Sequence, residues 1–144
     1  MKNKFFIIGI IAFILFLVAC SGSTKYSNAS YLKYIRIPEI NNINPKSGTE
    51  FNTGGFVVKI FKCPPCPKTA LCEPCMPDNI VISEDKKKLE TYDLNERDLI
   101  VFVKEPNQFK IGTEYGFSLR VMDRKINMQN INDIELLGYE TITK

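Results

Sequence analysis

The stretch TEYGFSLRVMD, residues 113–123, has the most regular residue pattern in the chain. Every second residue from Tyr115 to Val121 is large and apolar, whereas the residues between them are small or polar. A period of two is typical of a β-strand with one face against a core, because successive side chains of a strand point to opposite sides. The stretch therefore predicts a strand and sets the expectation of a β-rich domain.

Four other stretches have the length and the composition of strands. They are GGFVVKIFK (54–62), NIVIS (79–83), DLIVFV (98–103) and INDIELLGYETI (131–142). Helical periodicity is poor, and only residues 84–96 are consistent with a short surface helix. Five strands predict an all-β fold, namely a small five-stranded antiparallel barrel. A β-sandwich is the alternative, although immunoglobulin-type sandwiches usually have about seven strands.

The turn before the most regular strand gives a weak architectural resemblance. PNQFKIGTEY, residues 106–115, resembles the loop-glycine-strand entries of oligonucleotide/oligosaccharide-binding (OB) barrels. The resemblance covers residues 54–144. It implies an OB-like architecture and concerns the architecture alone. Many small β-barrels share this feature.

The N-terminal residues have the composition of an export signal. Lys2 and Lys4 precede an apolar run from Phe5 to Val18, which as a helix would measure about 21 Å and is too short to span roughly 30 Å of hydrocarbon. A basic region, an apolar region and small residues in this order are typical of a signal peptide. The sequence predicts a signal peptide over residues 1–19.

Leu17-Val18-Ala19-Cys20 follows this apolar run and resembles the lipobox of bacterial lipoproteins. The resemblance implies diacylglyceryl transfer to the Cys20 sulfur, cleavage before Cys20 and, often, acylation of the new amino terminus by a fatty acid such as palmitate. Two or three acyl chains hold a protein stably on a bilayer, whereas one does so only marginally. We therefore expect a lipid-anchored protein on the cell membrane or outer membrane, facing the periplasm or the exterior.

The expected organisation behind the signal has two parts. Residues 20–53 are rich in small and polar residues and predict a flexible tether with at most one short edge strand, because Pro38 interrupts the alternation of Ile35 and Ile37. Residues 54–144 are expected to form the barrel, with a Cys-rich insertion at 63–77 after its first strand.

Charge and composition argue against several functions. Without residues 1–19 the chain keeps 17 basic and 16 acidic side chains, so it lacks the basic excess of a nucleic-acid binder. The chain has no histidine, which excludes Ser-His-Asp and Cys-His catalysis and His-ligated zinc. A hydrolase would have to use carboxylates, for which the candidates are Glu84, Asp85, Asp123 and Glu135. We expect no catalysis and no cofactor.

CPPCPKTALCEPCMP, residues 63–77, is the stretch with the most chemical character. Cys63, Cys66, Cys72 and Cys75 form the pattern C-x2-C-x5-C-x2-C. A metal site is disfavoured because prolines remove backbone amides that would point at the thiolates. A thioredoxin-type centre needs a helix start, which the prolines also disfavour. Structural disulfides need only an oxidising compartment and suitable Cα separations.

Two disulfide pairings suit an exported chain. Proline-rich segments favour polyproline II, in which residues three apart point the same way. If the chain reverses between Cys66 and Cys72, nested pairs form, Cys63 with Cys75 and Cys66 with Cys72, and we prefer this pairing. The alternative joins Cys63 to Cys66 and Cys72 to Cys75.

The sequence leaves two main hypotheses of function. The first is a non-catalytic binding module whose partner is a protein or glycan of the cell envelope. Candidate contact residues are Phe56, Phe61, Phe102 and Tyr115, although ordinary core packing is the favoured explanation for each of them. The second is an envelope thiol-redox or metal-stress sensor that uses the C-x-x-C pairs.

Overall fold

The structure of the protein is a computed structural model. The structure describes residues 29–67, 71, 74–126 and 129–142. The predicted signal peptide, the lipobox and Cys20 lie outside the described residues. Cys72 also lies outside them.

The described residues contain one α-helix, one short 3-10 turn and five strands, and all five predicted strands are present. The elements in chain order are α1 (Ile37–Ile43), β1 (Glu50–Phe61), β2 (Asn79–Ser83), β3 (Asp98–Phe102), the 3-10 turn (Pro106–Gln108), β4 (Glu114–Ile126) and β5 (Gln129–Thr141).

The five strands close into a ring in the order β1-β2-β3-β5-β4. Four neighbouring pairs are antiparallel, whereas β3 and β5 run parallel and meet at Phe102 and Glu135. The prediction of a fully antiparallel barrel is therefore wrong at this one junction. The reason is geometric, because strand directions cannot alternate around a closed ring that has an odd number of members.

The barrel interior is filled by alternate residues of every strand. The apolar residues of β4 from Tyr115 to Val121 all belong to the core, as the alternation predicts. Ile80, Ile82 and Val101 join them from β2 and β3. Phe109 follows the 3-10 turn and packs against Tyr115, with ring centroids 5.4 Å apart. Apolar burial of this kind is the main stabilising contribution to a small domain.

Helix α1 lies within the segment that the sequence predicted to be a tether. Pro38 was interpreted as a strand breaker, but it occupies the first turn of α1, where the missing N–H costs nothing. Ile37 and Ile40, three residues apart, point into the core. Asn44 ends the helix in the left-handed conformation, with φ of 43°. The domain therefore begins before residue 54.

Residues 29–36, which we call the strap, lie across the outer face of β1 and β4. Tyr34 forms a parallel bridge with Asn52. The buried Asn52 side chain donates hydrogen bonds to the carbonyls of Ala29 (2.8 Å) and Leu32 (3.3 Å). Ser118 on β4 donates to Asn52 Oδ1 (2.7 Å) and accepts from the Ala29 amide (2.8 Å). These contacts make the strap part of the folded domain.

Residues 84–97 cover part of the outer face of β1 and β2. The segment forms bends and turns in place of the short helix that was considered possible. The Leu89 amide donates to the Val58 carbonyl (3.0 Å), and the Tyr92 hydroxyl donates to Asn79 Oδ1 (2.9 Å). Burial raises the pKa of Tyr92 above its ordinary value. Val58 and Val81 are consequently buried although they lie outside the main core cluster.

Candidate binding site

The loop between β1 and β2, residues 62–78, is closed by a disulfide between Cys63 and Cys75. Their Cα atoms are 6.0 Å apart, within the usual range for a disulfide. The Cys63 amide also donates to the Asp78 carboxylate (2.8 Å), which joins the two ends of the loop. The outer pair of the preferred nested arrangement is thereby confirmed. We call this segment the Cys-rich loop.

Cys66 is disulfide-bonded as well. Its partner lies outside the described residues, so the Cys66 to Cys72 pair stays a prediction. The Cys63–Cys75 bond has one direct consequence, because it leaves neither C-x-x-C motif able to form its own internal disulfide. That internal disulfide is what a thioredoxin-type centre needs. Among the described residues no three His, Cys, Asp or Glu side chains are placed so that they could hold a metal ion together.

The Cys-rich loop exposes apolar surface. Leu71 is fully exposed and Met76 is partly exposed. The prolines of the loop are exposed as well, namely Pro64, Pro65, Pro67, Pro74 and Pro77. Proline has no backbone N–H to satisfy and little conformational freedom to lose, so such a surface is ordered at low entropic cost when it binds.

A groove of about 260 Å³ lies at the base of the loop, and we call it the loop-base groove. It opens where β3 and β5 separate beyond their single paired position, Phe102 with Glu135. Its apolar lining comes from Phe102, Val103 and Leu136. This volume is near the lower end for small-molecule sites, so the groove suits one side chain or one sugar-sized group.

The loop-base groove has an acidic rim. Asp78, Glu105 and Glu135 contribute three carboxylates, and Lys104 contributes one ammonium group. Carboxylates accept hydrogen bonds and attract cations. The rim therefore favours a basic side chain or a hydroxyl-bearing group over an anion. The Gln108 amide, on the same wall, accepts a hydrogen bond from the Tyr139 hydroxyl (3.3 Å).

The four aromatic candidates from the sequence do not form one surface. Tyr115 is buried in the core, which is the explanation that the sequence favoured. Phe61 packs edge-on against Tyr92, and Phe56 lies beside Lys86. Only Phe102 lines the loop-base groove.

The four carboxylate candidates are also separated. Glu84, Asp85 and Glu135 line three different cavities, and Asp123 is exposed on β4. Arg97 bridges Glu84 (3.5 Å) and Asp85 (3.1 Å). No two of these four candidates therefore line the same one of these cavities.

Glu84 instead joins two covering segments of the barrel. Arg36 of the strap donates to both of its carboxylate oxygens, at 3.0 and 2.8 Å. Arg97, at the end of the covering segment 84–97, approaches it from the other side. The hydrogen bond from Arg36 holds the pKa of Glu84 below its ordinary value, and burial opposes that shift. The arrangement is that of a structural ion pair.

Sequence reasoning found the Cys-rich loop but missed the loop-base groove. Lys104, Glu105 and Gln108 lie between two strands and carry no local pattern that indicates a cavity. The groove depends on the parallel meeting of β3 and β5, which are separated by more than twenty residues of sequence. No local sequence motif predicts that β3 and β5 lie side by side.

Comparison with known proteins leaves the function to be argued from the geometry alone. No family model matches the chain, and no curated protein resembles it significantly. A helix with the length and apolarity needed to cross a bilayer does not occur among the described residues.

Proposed function

We propose that the protein is an exported lipoprotein that acts as a non-catalytic binding module in the cell envelope, anchored through Cys20. The observation that carries this proposal is the Cys63–Cys75 disulfide. Disulfides persist in oxidising compartments and are rare in the cytosol. A disulfide therefore agrees with export, which the signal-like N-terminus and the lipobox resemblance predict independently.

The finer architectural proposal is an OB-type barrel. Its support is a ring of five strands in which β1, β2 and β3 are consecutive neighbours and β4 returns to β1. OB modules bind through the face of strands 2 and 3 and through the loops that follow strands 1 and 4. In this chain residues 84–97 cover part of the outer surface of β1 and β2. The Cys-rich loop and the loop-base groove remain as the open part of such a binding surface.

The proposed partner is a protein of the envelope. An exposed leucine, an exposed methionine and several exposed prolines of the Cys-rich loop suit contact with an apolar protein surface. The acidic rim of the groove suits a basic side chain that lies next to that surface. A glycan is the competing partner, since carboxylates also accept hydrogen bonds from hydroxyl groups.

Intact-mass analysis of the membrane fraction tests the anchor and the disulfides together. We expect a chain that begins at Cys20 and carries acyl groups, and whose other four cysteines react with an alkylating agent only after reduction. A soluble product that retains its first residues and free thiols would contradict the proposal.

Site-specific photo-crosslinking in intact cells tests the binding surface. A crosslinking residue at position 71, on the Cys-rich loop, is compared with one at Ile43, which is exposed on α1. We expect a discrete protein adduct from position 71 and none from position 43. Equal adducts from both positions would contradict a specific surface, and adducts that digest with glycosidases would favour the glycan.

A further inference from the structure

The strap determines how close an anchored barrel lies to its membrane. Ala29, the first residue that the structure describes, is held to Ser118 and Asn52. Only eight residues lie between Cys20 and Ala29, so at full extension the two residues are at most about 30 Å apart. The thirty-odd residues that the sequence assigned to a tether would allow a much greater distance.

Residues on and beside the strap suit a membrane interface. Tyr31 is 83% exposed and Tyr34 is 60% exposed, and Lys33 between them is exposed too. Ile142, also partly exposed, lines the same cavity as Tyr34. Tyrosines are enriched where headgroups meet hydrocarbon, because the ring is apolar and the hydroxyl is polar. Lysine is attracted to anionic headgroups.

The charges that face this region are mixed. Arg36 is paired with Glu84, and Glu114 and Glu140 line the cavity beside the strap. Electrostatic attraction to an anionic bilayer is consequently weak. The contact then depends on the tyrosines and on the short connection to Cys20.

The Cys-rich loop lies at the other end of β1 from the strap. Asn52, which holds the strap, is near the start of β1, and Cys63 comes two residues after the end of β1 at Phe61. Asn52 and Phe61 are nine positions apart in the strand, which corresponds to about 30 Å of chain length. A bilayer that contacts the strap therefore lies against the start of β1, and the Cys-rich loop emerges from the opposite end of the same strand.

We infer that the strap face, formed by Tyr31, Lys33, Tyr34 and Ile142, rests on the lipid bilayer and presents the Cys-rich loop to partners away from the membrane. This inference rests on the proposed anchor at Cys20. It adds an orientation that the anchor by itself does not determine.

Single tryptophans provide the test, because the chain contains none. The full-length protein is produced in bacteria, purified from membranes and reconstituted into vesicles of phosphatidylethanolamine and phosphatidylglycerol. The vesicles contain a phosphatidylcholine with a nitroxide quencher on its headgroup. Tyr31→Trp reports on the strap, and the matched control Leu71→Trp reports on the loop. Both side chains are exposed, so neither change should alter the melting temperature.

We expect both variants to float with the vesicles and the fluorescence of Tyr31→Trp to be quenched several-fold more than that of Leu71→Trp. Equal quenching, or stronger quenching at position 71, would overturn the orientation while flotation keeps the anchor intact. Failure of both variants to float would overturn the anchor, and the orientation would fall with it.

Discussion

The strap and the Cys-rich loop are both irregular segments, but they are held in different ways. The strap is held by hydrogen bonds to one buried side chain, Asn52, while its Tyr31, Lys33 and Tyr34 side chains are exposed. The loop is held by a covalent bond between Cys63 and Cys75. A segment can thus be ordered by a polar hub inside the domain or by a cross-link on its surface. Only the second leaves nearly all of the described residues of the segment exposed.

The largest effect should come from removing the cross-link. Replacing Cys63 and Cys75 together by serine frees a segment with a sequence separation of 12, which in the chain-entropy model costs about 3 kcal/mol of unfolding free energy. Urea unfolding without reductant measures the loss. The wild type in reductant should lose at least as much. A difference close to zero would show that the loop contributes nothing to the stability of the domain.

Removing the Asn52 side chain, which holds the strap, should have the next largest effect on stability. Asn52→Ala leaves the Ser118 hydroxyl and the carbonyls of Ala29 and Leu32 without this partner, at a cost of about 2 kcal/mol. Hydrogen exchange should lose protection at the Ile35 amide, which donates to the Asn52 carbonyl. Asn107→Ala, at an exposed asparagine, is the control and should change neither measurement. Intact protection in Asn52→Ala would mean that the strap is held by other contacts.

Replacing a buried hydroxyl inside the barrel should give a smaller effect, which is a gain in stability. Thr53 Oγ1 is the only fully buried side-chain N or O atom without a hydrogen-bond partner among the described residues. Thr53→Val keeps the shape and removes the unpaired group, so it should stabilise the domain by about 1 kcal/mol. Thr53→Ser keeps the hydroxyl and should not stabilise. Thermal unfolding of the two variants shows whether the change in stability comes from the unpaired hydroxyl or from the packing of the side chain.

The smallest effect concerns the ion pair that joins the strap to the segment 84–97. Because the pKa of Glu84 is lowered in the folded state, its contribution is present above the unfolded value, near 4.5, and is lost as pH falls through the folded pKa. The Arg36 side chain is largely exposed, so solvent screens the pair and its contribution is small.

Glu84→Gln should therefore destabilise at pH 7 and converge with the wild type in acid. Glu90→Gln is the matched control, because the Glu90 pKa is also lowered, by Lys88, while both partners are exposed. Denaturation midpoints across the pH range provide the measurement. If the midpoints of Glu84→Gln and the wild type change in parallel with pH, Glu84 does not contribute to the loss of stability in acid.

Local patterns were sufficient for the strands but not for their pairing. Alternation in residues 113–123 reports which side of β4 is buried, because the period of a strand is a property of the backbone. The parallel contact of Phe102 with Glu135 has no such local signal. The Cys63–Cys75 bond was predicted because proline density and cysteine spacing together limited the choices.

Pro38 shows why the N-terminal segment was misassigned. The residue interrupts a strand pattern and begins a helix equally well, so the outcome depends on whether Ile37 and Ile40 find a core. They do, within a barrel whose strands follow later in the chain. Asn44 and Pro45, which stop α1, were the available signal for its end.

The amino-acid sequence was enough to determine the β-rich class, the strand positions, the lack of histidine chemistry and the Cys-rich loop, since each depends on residue type and short-range spacing. The tertiary structure alone decided the parallel junction of β3 and β5, the loop-base groove, and the attachment of the strap to Asn52 and Ser118. These features join residues that are distant in the chain. Their stability comes from burial and hydrogen bonds that exist only once the barrel has closed.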